Sequence, residues 1–343
     1  MSQTVATSSD WGRVQARPGF RTMVFAILLV LLVAAFIYGV GTGSIPLSPE
    51  QVLQGIFGPD DYEWHRVVWD IRLPRVLLAA MVGANLATSG VILQAIMGNP
   101  LADPGIIGVS SGAGLFGIII LLAFPSMYLM VPLFAFVGAM LACIVIYVLA
   151  WKGGIQPMRI ILAGVAVAAF FSAIQTFVQQ RFDDSLLAVY TWILGRLSTN
   201  GWSDIVTIAP YVVLSWVVLL LHRRVLDVLA LGDVEAASLG INVPRVRLVL
   251  VLTATLGTTA VVSVSGLIGF VGIVVPHAMR LIFGSSYRLL LPLSMLFGAA
   301  FLVLTDVAAR SLIAPAELPI GVVTALLGAP FFLVVLRRGR AIS

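Results

Sequence analysis

Apolar residues run almost unbroken for stretches of about twenty positions, and polar residues gather in the gaps between them. A run of roughly twenty apolar residues is long enough to cross a bilayer as a helix. The pattern predicts an all-α chain of about ten spanning helices, at about 22–41, 76–97, 107–124, 129–151, 158–178, 205–221, 247–265, 267–283, 289–309 and 318–336. The seventh and eighth nearly fuse through Ser265-Gly266. Residues 1–20 are polar, carry Arg13 and Arg17, and read as a disordered cytoplasmic tail. A single transmembrane domain is expected over 21–343. The first run, from Thr22 to Gly41, is long enough to span and no small-x-small cleavage site follows it.

Polar positions inside these runs are informative, because lipid satisfies no hydrogen bond. In the second run Asn85 and Gln94 must bond to another helix or line a wet path. In the fifth, Ser172, Gln175, Thr176 and Gln179 fall at i, i+3, i+4 and i+7 and form one polar stripe. That stripe faces either a neighbouring helix or a central aqueous path. Gly83 and Ala87 give a small-xxx-small spacing suited to close helix packing. The glycines at 266, 269 and 272 suit tight packing or an irregular helix start. His277 reads as a hydrogen-bonded structural residue, with proton carriage as the alternative. Asp306 and Arg310 sit at i, i+4, the spacing of an intrahelical ion pair. Leu186 to Leu194 is too short to span and is expected to lie along the outer surface.

Composition agrees with the pattern. The 343 residues are 60% hydrophobic and 10% charged, with a mean hydropathy of +1.08, against about 25% charge in a soluble domain. The pI of 9.8 does not imply nucleic acid, because the basic residues lie between apolar runs. With the N-terminus inside, 14 of the 20 lysines and arginines fall on the cytoplasmic side. Six fall outside: Arg66, Arg72, Arg75, Arg181, Arg196 and Arg310. That bias predicts N-in and C-in. The long outer segment Thr42 to Arg75 carries Trp64 and Trp69 as interface anchors.

One polar island then faces the cytoplasm: Asp227-Val-Leu-Ala-Leu-Gly-Asp-Val-Glu-Ala-Ala-Ser-Leu-Gly240. It reads as two short helices. Asp227 is expected to cap the first and Gly232 to end it. Asp233 is expected to cap the second, with Glu235 in its first turn and Gly240 at its end.

The residues argue against several chemistries, with an ion-coupled secondary transporter kept as the alternative. His65, His222 and His277 are far apart and lack clustered Cys or acidic neighbours, so no metal site is expected within the chain. No Ser/His or His/Asp constellation falls within the apolar runs, which argues against an intramembrane enzyme. The acidic residues lie near run ends or in loops, which argues against an ion-coupled secondary transporter. The single lysine, Lys152, precedes Gly153 and cannot complete a phosphate-binding Gly-Lys-Ser/Thr loop. If this chain uses ATP, the ATP and its magnesium belong on another subunit.

Five stretches, in order, carry a resemblance: Ile71 to Arg75, Asn99 to Gly114, Leu231 to Gly240, Gly266 to Arg280 and Glu317 to Phe331. Together they resemble the permease subunits of ABC importers for iron chelates, haem and vitamin B12. The set spans nearly the whole chain after residue 60. Two positions depart from the family pattern: Gly98 stands where a charge is usual, and Ser286-Tyr287 where Asp-His is usual.

The resemblance implies a transport subunit without catalysis of its own, in a bacterial cytoplasmic membrane. It implies two copies of an ABC ATPase, a second permease chain as a homodimer, and an extracytoplasmic substrate-binding protein. Asp227, Gly232, Asp233, Glu235, Ala236, Leu239 and Gly240 would then couple to the ATPase. Arg72, Arg75 and Arg310 would dock the binding protein. Gln156, Pro157 and Met158 would form an inner gate, and the stripe Ser172, Gln175, Thr176 and Gln179 would line the path. The cargo would be a bulky metal chelate, with ferric siderophore ahead of haem and cobalamin.

Overall fold

The computed structural model describes residues 18–151, 156–182, 186–197 and 201–338. Among them the chain is all helical, with no strand. The elements are α1 (Pro18–Gly41), α2 (Pro49–Phe57), α3 (Leu73–Met97), α4 (Val109–Ala123), α5 (Val131–Ala150), α6 (Pro157–Arg181) and α7 (Leu186–Ile193). They continue with α8 (Trp202–Leu221), α9 (Arg223–Leu229), α10 (Asp233–Ser238), α11 (Val243–Ser265), α12 (Val271–Phe283), α13 (Tyr287–Ser311) and α14 (Ile320–Arg338). All ten expected apolar helices form. Seven are long and apolar enough to cross a membrane, and α4, α12 and α14 are shorter apolar helices. The tail expected over 1–20 lies outside the described residues up to position 17, and Pro18 to Phe20 already belong to α1.

α3 is the central post. It packs on α13, α11, α12 and α1, and 83% of its apolar window is buried. Two glycine pairs set its distance from its neighbours. A Cβ at Gly83 would collide with the Gly298 carbonyl of α13, and one at Gly90 with the Gly272 carbonyl of α12. Without a hydrophobic drive between helices in lipid, such close backbone contact supplies dispersion energy over a wide area.

α4 has 15 residues and α12 has 13, too few to cross a core of about 30 Å at about 1.5 Å per residue. Both start inside the bundle, α4 after a 3-10 turn at Pro104–Ile107 and α12 after the irregular stretch 266–270. Their freed backbone groups are met by protein, as they must be away from water. Asp103 Oδ1 accepts from the Gly105 amide at 2.8 Å, and Gln94 Nε2 donates to the Gly272 carbonyl at 2.9 Å. The near-fusion of the seventh and eighth runs is broken at Gly266, with φ +70°, and α12 begins only at Val271.

α7, too short to span as expected, lies on the bundle with one face inward and Tyr190, 54% exposed, outward. Val189 is fully buried against Ile118 and Leu122 of α4, and the Trp192 ring lies against Gly117. The following backbone is stitched into the bundle. Arg196 N–H donates to the Ser265 carbonyl at 2.9 Å, and Gly321 N–H to the Leu194 carbonyl at 3.0 Å.

The segment 42–75 holds two features that apolar periodicity misses. Ser48 and Gln51 form a reciprocal capping box that starts α2. Val67–Arg72 winds as a π-helical turn continuous with α3. Trp69 stacks near His65 and Trp202, and Trp202 Nε1 donates to the Trp69 carbonyl at 2.9 Å.

Candidate functional site

The bundle carries polar assemblies at its two ends. At one end lie α9 and α10, the segment expected to couple. The first helix starts at Arg223 rather than at Asp227, so Asp227 is inside it and caps nothing. Its carboxylate instead accepts from the Tyr287 amide at 2.6 Å and from Ser286 Oγ at 3.4 Å, and pairs with Arg288 at 3.3 Å. Asp227 therefore clamps α9 to the start of α13. The two residues that depart from the family pattern, Ser286 and Tyr287, are its partners.

Gly232 has φ +125° and leads into α10, where Asp233 is the first residue rather than the cap. The Asp233 carboxylate forms a two-pronged pair with Arg247, both bonds at 2.8 Å. Glu235 lies in the first turn as expected. Gly240, φ +82°, ends the helix, with its amide on the Ala237 carbonyl and the Ile241 amide on the Ala236 carbonyl. Ala236 is fully buried, so it supports the helix from within and presents nothing outward. Leu231, Val234 and Leu239 are the large apolar residues that face outward there, 64%, 79% and 65% exposed. Val234 and Leu231 were not singled out by sequence, because short helices give too few turns for a stripe to show.

At the other end the three expected docking arginines come together, but turned inward. Arg75 Nε and Nη2 donate to Asp306 at 3.0 and 2.9 Å, and its Nη1 and Nη2 reach Glu317 at 3.0 and 3.1 Å. Arg310 pairs with the same Asp306 at 3.3 Å and also donates to the Thr42 carbonyl. The i, i+4 pair is thus one edge of a larger network. Arg72 is buried and donates to the carbonyls of Val40, Gly41 and Ile45 at 2.9, 3.2 and 2.6 Å. A cavity of about 660 Å³ opens between Gly43, Ile71, Arg72, Arg75, Arg310 and Glu317. Glu317 is the exposed member of the network and Asp306 the buried one. Their pairing with Arg75 spans 231 and 242 residues, a separation at which one sequence gives no signal.

This burial changes what an Arg72 variant reports. Arg72→Ala is expected to lower stability by about 1.5–3 kcal/mol, the range for hydrogen bonds to a charged group. Thermal unfolding in detergent checks it. An unchanged melting temperature would show that Arg72 does not hold the 40–45 turn.

The stripe on α6 is only partly occupied. Ser172 and Thr176 are exposed, Gln175 Nε2 donates to the Ser111 carbonyl at 3.1 Å, and Thr176 Oγ1 bonds back to the Ser172 carbonyl. Below the stripe Met158, Leu162 and Val165 are exposed as well. Gln156 precedes α6, its carbonyl accepting from the amides of Arg159 and Ile160, and Pro157 opens the helix. In the core, Gln94 bonds to α12 as one of its two expected readings required. Asn85 is fully buried, and its amide has no partner among the described residues. His277 is buried against Phe331, and its Nε2 also lacks a partner among the described residues, which departs from the hydrogen-bonded role expected.

An all-helical bundle with seven helices long and apolar enough to span a membrane among the described residues, chain breaks inside the bundle and a short helix pair at one end defines a polytopic membrane permease. The chain belongs to the FecCD transport family, whose model matches residues 31–338. It is 34% identical over 326 residues to the Fe(3+)-citrate import system permease protein YfmE of Bacillus subtilis, covering 95% of this chain and 97% of that one. It is 40% identical over 337 residues to the hemin transport system permease protein HmuU of Yersinia pestis, covering 96% and 98%. It is 43% identical over 273 residues to the cobalamin import system permease protein BtuC of Halobacterium salinarum, covering 79% and 73%. Among solved structures it is similar to a metal-chelate type ABC transporter in an inward-facing conformation. The TM-score there is 0.83 at 31% identity, covering 92% of this chain and 99% of that one. The chain is an ABC permease.

Proposed function

We propose that this chain is the membrane subunit through which an ABC importer moves a bulky metal chelate into the cytoplasm, a ferric siderophore foremost, with haem and cobalamin as the related cargoes. The observation that carries the reading is family membership over residues 31–338, joined to an exposed apolar surface on α9 and α10 at one end. A separate ATPase would cover Leu231, Val234 and Leu239, and would hold the ATP and magnesium. A substrate-binding protein would dock at the opposite end, over the rim where Arg75 and Glu317 meet the 660 Å³ cavity. Because Arg72 is enclosed, the rim would present the Arg75–Glu317 pair rather than three open guanidinium groups. Rim charges of this kind set register and encounter rate more than affinity.

A second copy of the chain would cover α6, whose apolar window is only 22% buried. The polar stripe at Ser172, Gln175, Thr176 and Gln179 would then line a shared path, with Gln156, Pro157 and Met158 at its inner mouth. The bias of arginines and lysines supports N-in and C-in, which puts α9 and α10 in the cytoplasm of a bacterial inner membrane.

Growth and uptake in a strain lacking the gene test the cargo. Ferric siderophores, haem and cobalamin are each supplied as the limiting source. Loss of siderophore-dependent growth, restored by the gene, is expected. Loss confined to haem or to cobalamin would replace the cargo while keeping the transporter class.

A further inference from the structure

α12 lacks one of its own backbone bonds. Pro276 stands inside it, and a proline has no N–H to give to the carbonyl four residues earlier, here that of Gly272. Gly272 is buried, and its carbonyl faces α3 so closely that a Cβ at Gly90 would strike it. The missing donor comes from Gln94, one turn further along α3. Its Nε2 donates to the Gly272 carbonyl at 2.9 Å. Its Oε1 accepts from Arg280 Nη1, which lies beyond the proline in α12. One side chain, 3% exposed, therefore holds α12 on both sides of the turn that lacks its bond.

The same residues connect to the short helix pair. The Arg280 side chain also bonds that of Tyr287 at the start of α13, and the Tyr287 amide donates to the Asp227 carboxylate of α9 at 2.6 Å. Asp227, Tyr287, Arg280, Gln94 and Gly272 thus form one series of contacts from α9 to the first turn of α12. Gln94 Nε2 also reaches the Ala102 carbonyl at 3.4 Å, in the turn that leads to α4. Packing differs along α12. Val271, Gly272, Val275 and Pro276 are buried, whereas Leu281 and Ile282 beyond the proline are 60% and 51% exposed. Sharp bends in helices fall at prolines, and here the less enclosed end is the end tied to α9.

We propose that α12 bends at Pro276 and that Gln94 and Arg280 are the positioning residues that carry a shift of α9 into that bend. This rests on the reading that an ATPase moves α9 and α10. A displacement of α9 pulls on the start of α13 through Asp227, and on the last turn of α12 through Tyr287 and Arg280. No backbone bond from residue 276 resists it. Gln94 passes the pull to the carbonyls of Gly272 and Ala102, so the starts of α12 and α4 respond together.

Two measurements on the full chain test it. Thermal unfolding tests the bridge without any partner. Gln94→Ala orphans the Gly272 carbonyl and should lower the melting temperature. Pro276→Ala supplies an N–H for that carbonyl, so the double variant Gln94→Ala/Pro276→Ala should melt above the sum of its two single shifts. Additive shifts overturn the bridge. Proteoliposomes with the ATPase subunit and the binding protein test the linkage, read as cargo taken up per ATP hydrolysed. A ferric siderophore is the probe, with haem and cobalamin in its place where it is not carried. Gln94→Met, Arg280→Met and Pro276→Ala should each lower that ratio about fivefold or more, the lower end of the range for coupling between sites. Pro276→Ala should do so without lowering the melting temperature, which separates lost bending from lost fold. An unchanged ratio in Pro276→Ala or in Gln94→Met overturns the proposal and leaves the transporter reading intact. A parent chain with no ATP-driven uptake of any of the three fails that reading, and the linkage to α9 fails with it.

Discussion

Asp306→Asn is expected to destabilise the protein by about 3–5 kcal/mol, the cost of removing one partner from a buried ion pair. The side chain keeps its size, so the loss is one of charge. Asp306 is 2% exposed and receives Arg75 on one side and Arg310 on the other. Without it Arg310 has only carbonyl partners such as that of Thr42, and Arg75 has only Glu317 at the solvent edge. Two guanidinium groups would then face each other with no carboxylate between them. The double variant Asp306→Asn/Arg310→Gln removes one charge of each sign and should recover part of the loss. Thermal unfolding of both variants in detergent gives the comparison. A single variant that melts like the parent, or a double variant worse than the sum of its singles, would show that the network is not what holds α3, α13 and the 310–319 turn together.

Leu239→Asp and Val234→Asp are expected to abolish ATP-driven transport while leaving the membrane fold intact. Both side chains are mostly exposed and support nothing inside the chain. Burying a side chain of this size against a partner is worth about 1.5–3 kcal/mol. Each tenfold in affinity takes about 1.4 kcal/mol, so each change should weaken the ATPase complex by about ten- to a hundredfold. An introduced carboxylate adds its own desolvation cost. Co-purification with the ATPase and a thermal melt of the isolated permease separate loss of coupling from loss of fold. Normal association in both variants would move the contact elsewhere. Glu235→Gln is a weaker probe, because Glu235 favours its own helix start as much as any partner.

How much of this was legible follows from what each signal depends on. Ten apolar runs predicted ten helices, because burial in lipid imposes hydropathy on every residue of a span. The breaks around Gly98–Gly108 and Gly266–Phe270 were legible as glycine, proline and aspartate, but their depth was not. That depth follows from the shortness of α4 and α12 and from bonds such as Gln94 to Gly272, which join segments 178 residues apart. α7 was read as a surface helix because its length excludes spanning, and length alone does not show that Val189 seats against α4 and Val178 of α6. The capping box Ser48/Gln51 was readable as Ser-x-x-Gln and would have located α2. At the end that carries Arg75 the arginines were found and Asp306–Arg310 was paired correctly. That Arg72 turns inward depends on where three carbonyls of residues 40–45 fall, which no spacing encodes. At the other end the helix pair and its stop at Gly240 were read correctly. The roles of Asp227 and Asp233 were not, because both carboxylates act on distant partners, Tyr287 and Arg247, rather than on their own helix starts.

The central claim is that the chain is driven through an ATPase partner and carries no gradient-coupled machinery of its own. Reconstitution in proteoliposomes, with the ATPase subunit and the binding protein, tests it most directly. Uptake of a ferric siderophore should require ATP on the α9–α10 side. It should stop when the partner ATPase is inactivated, and should not respond to an imposed proton or sodium gradient. Uptake by this chain alone, driven by such a gradient and indifferent to ATP, would contradict it.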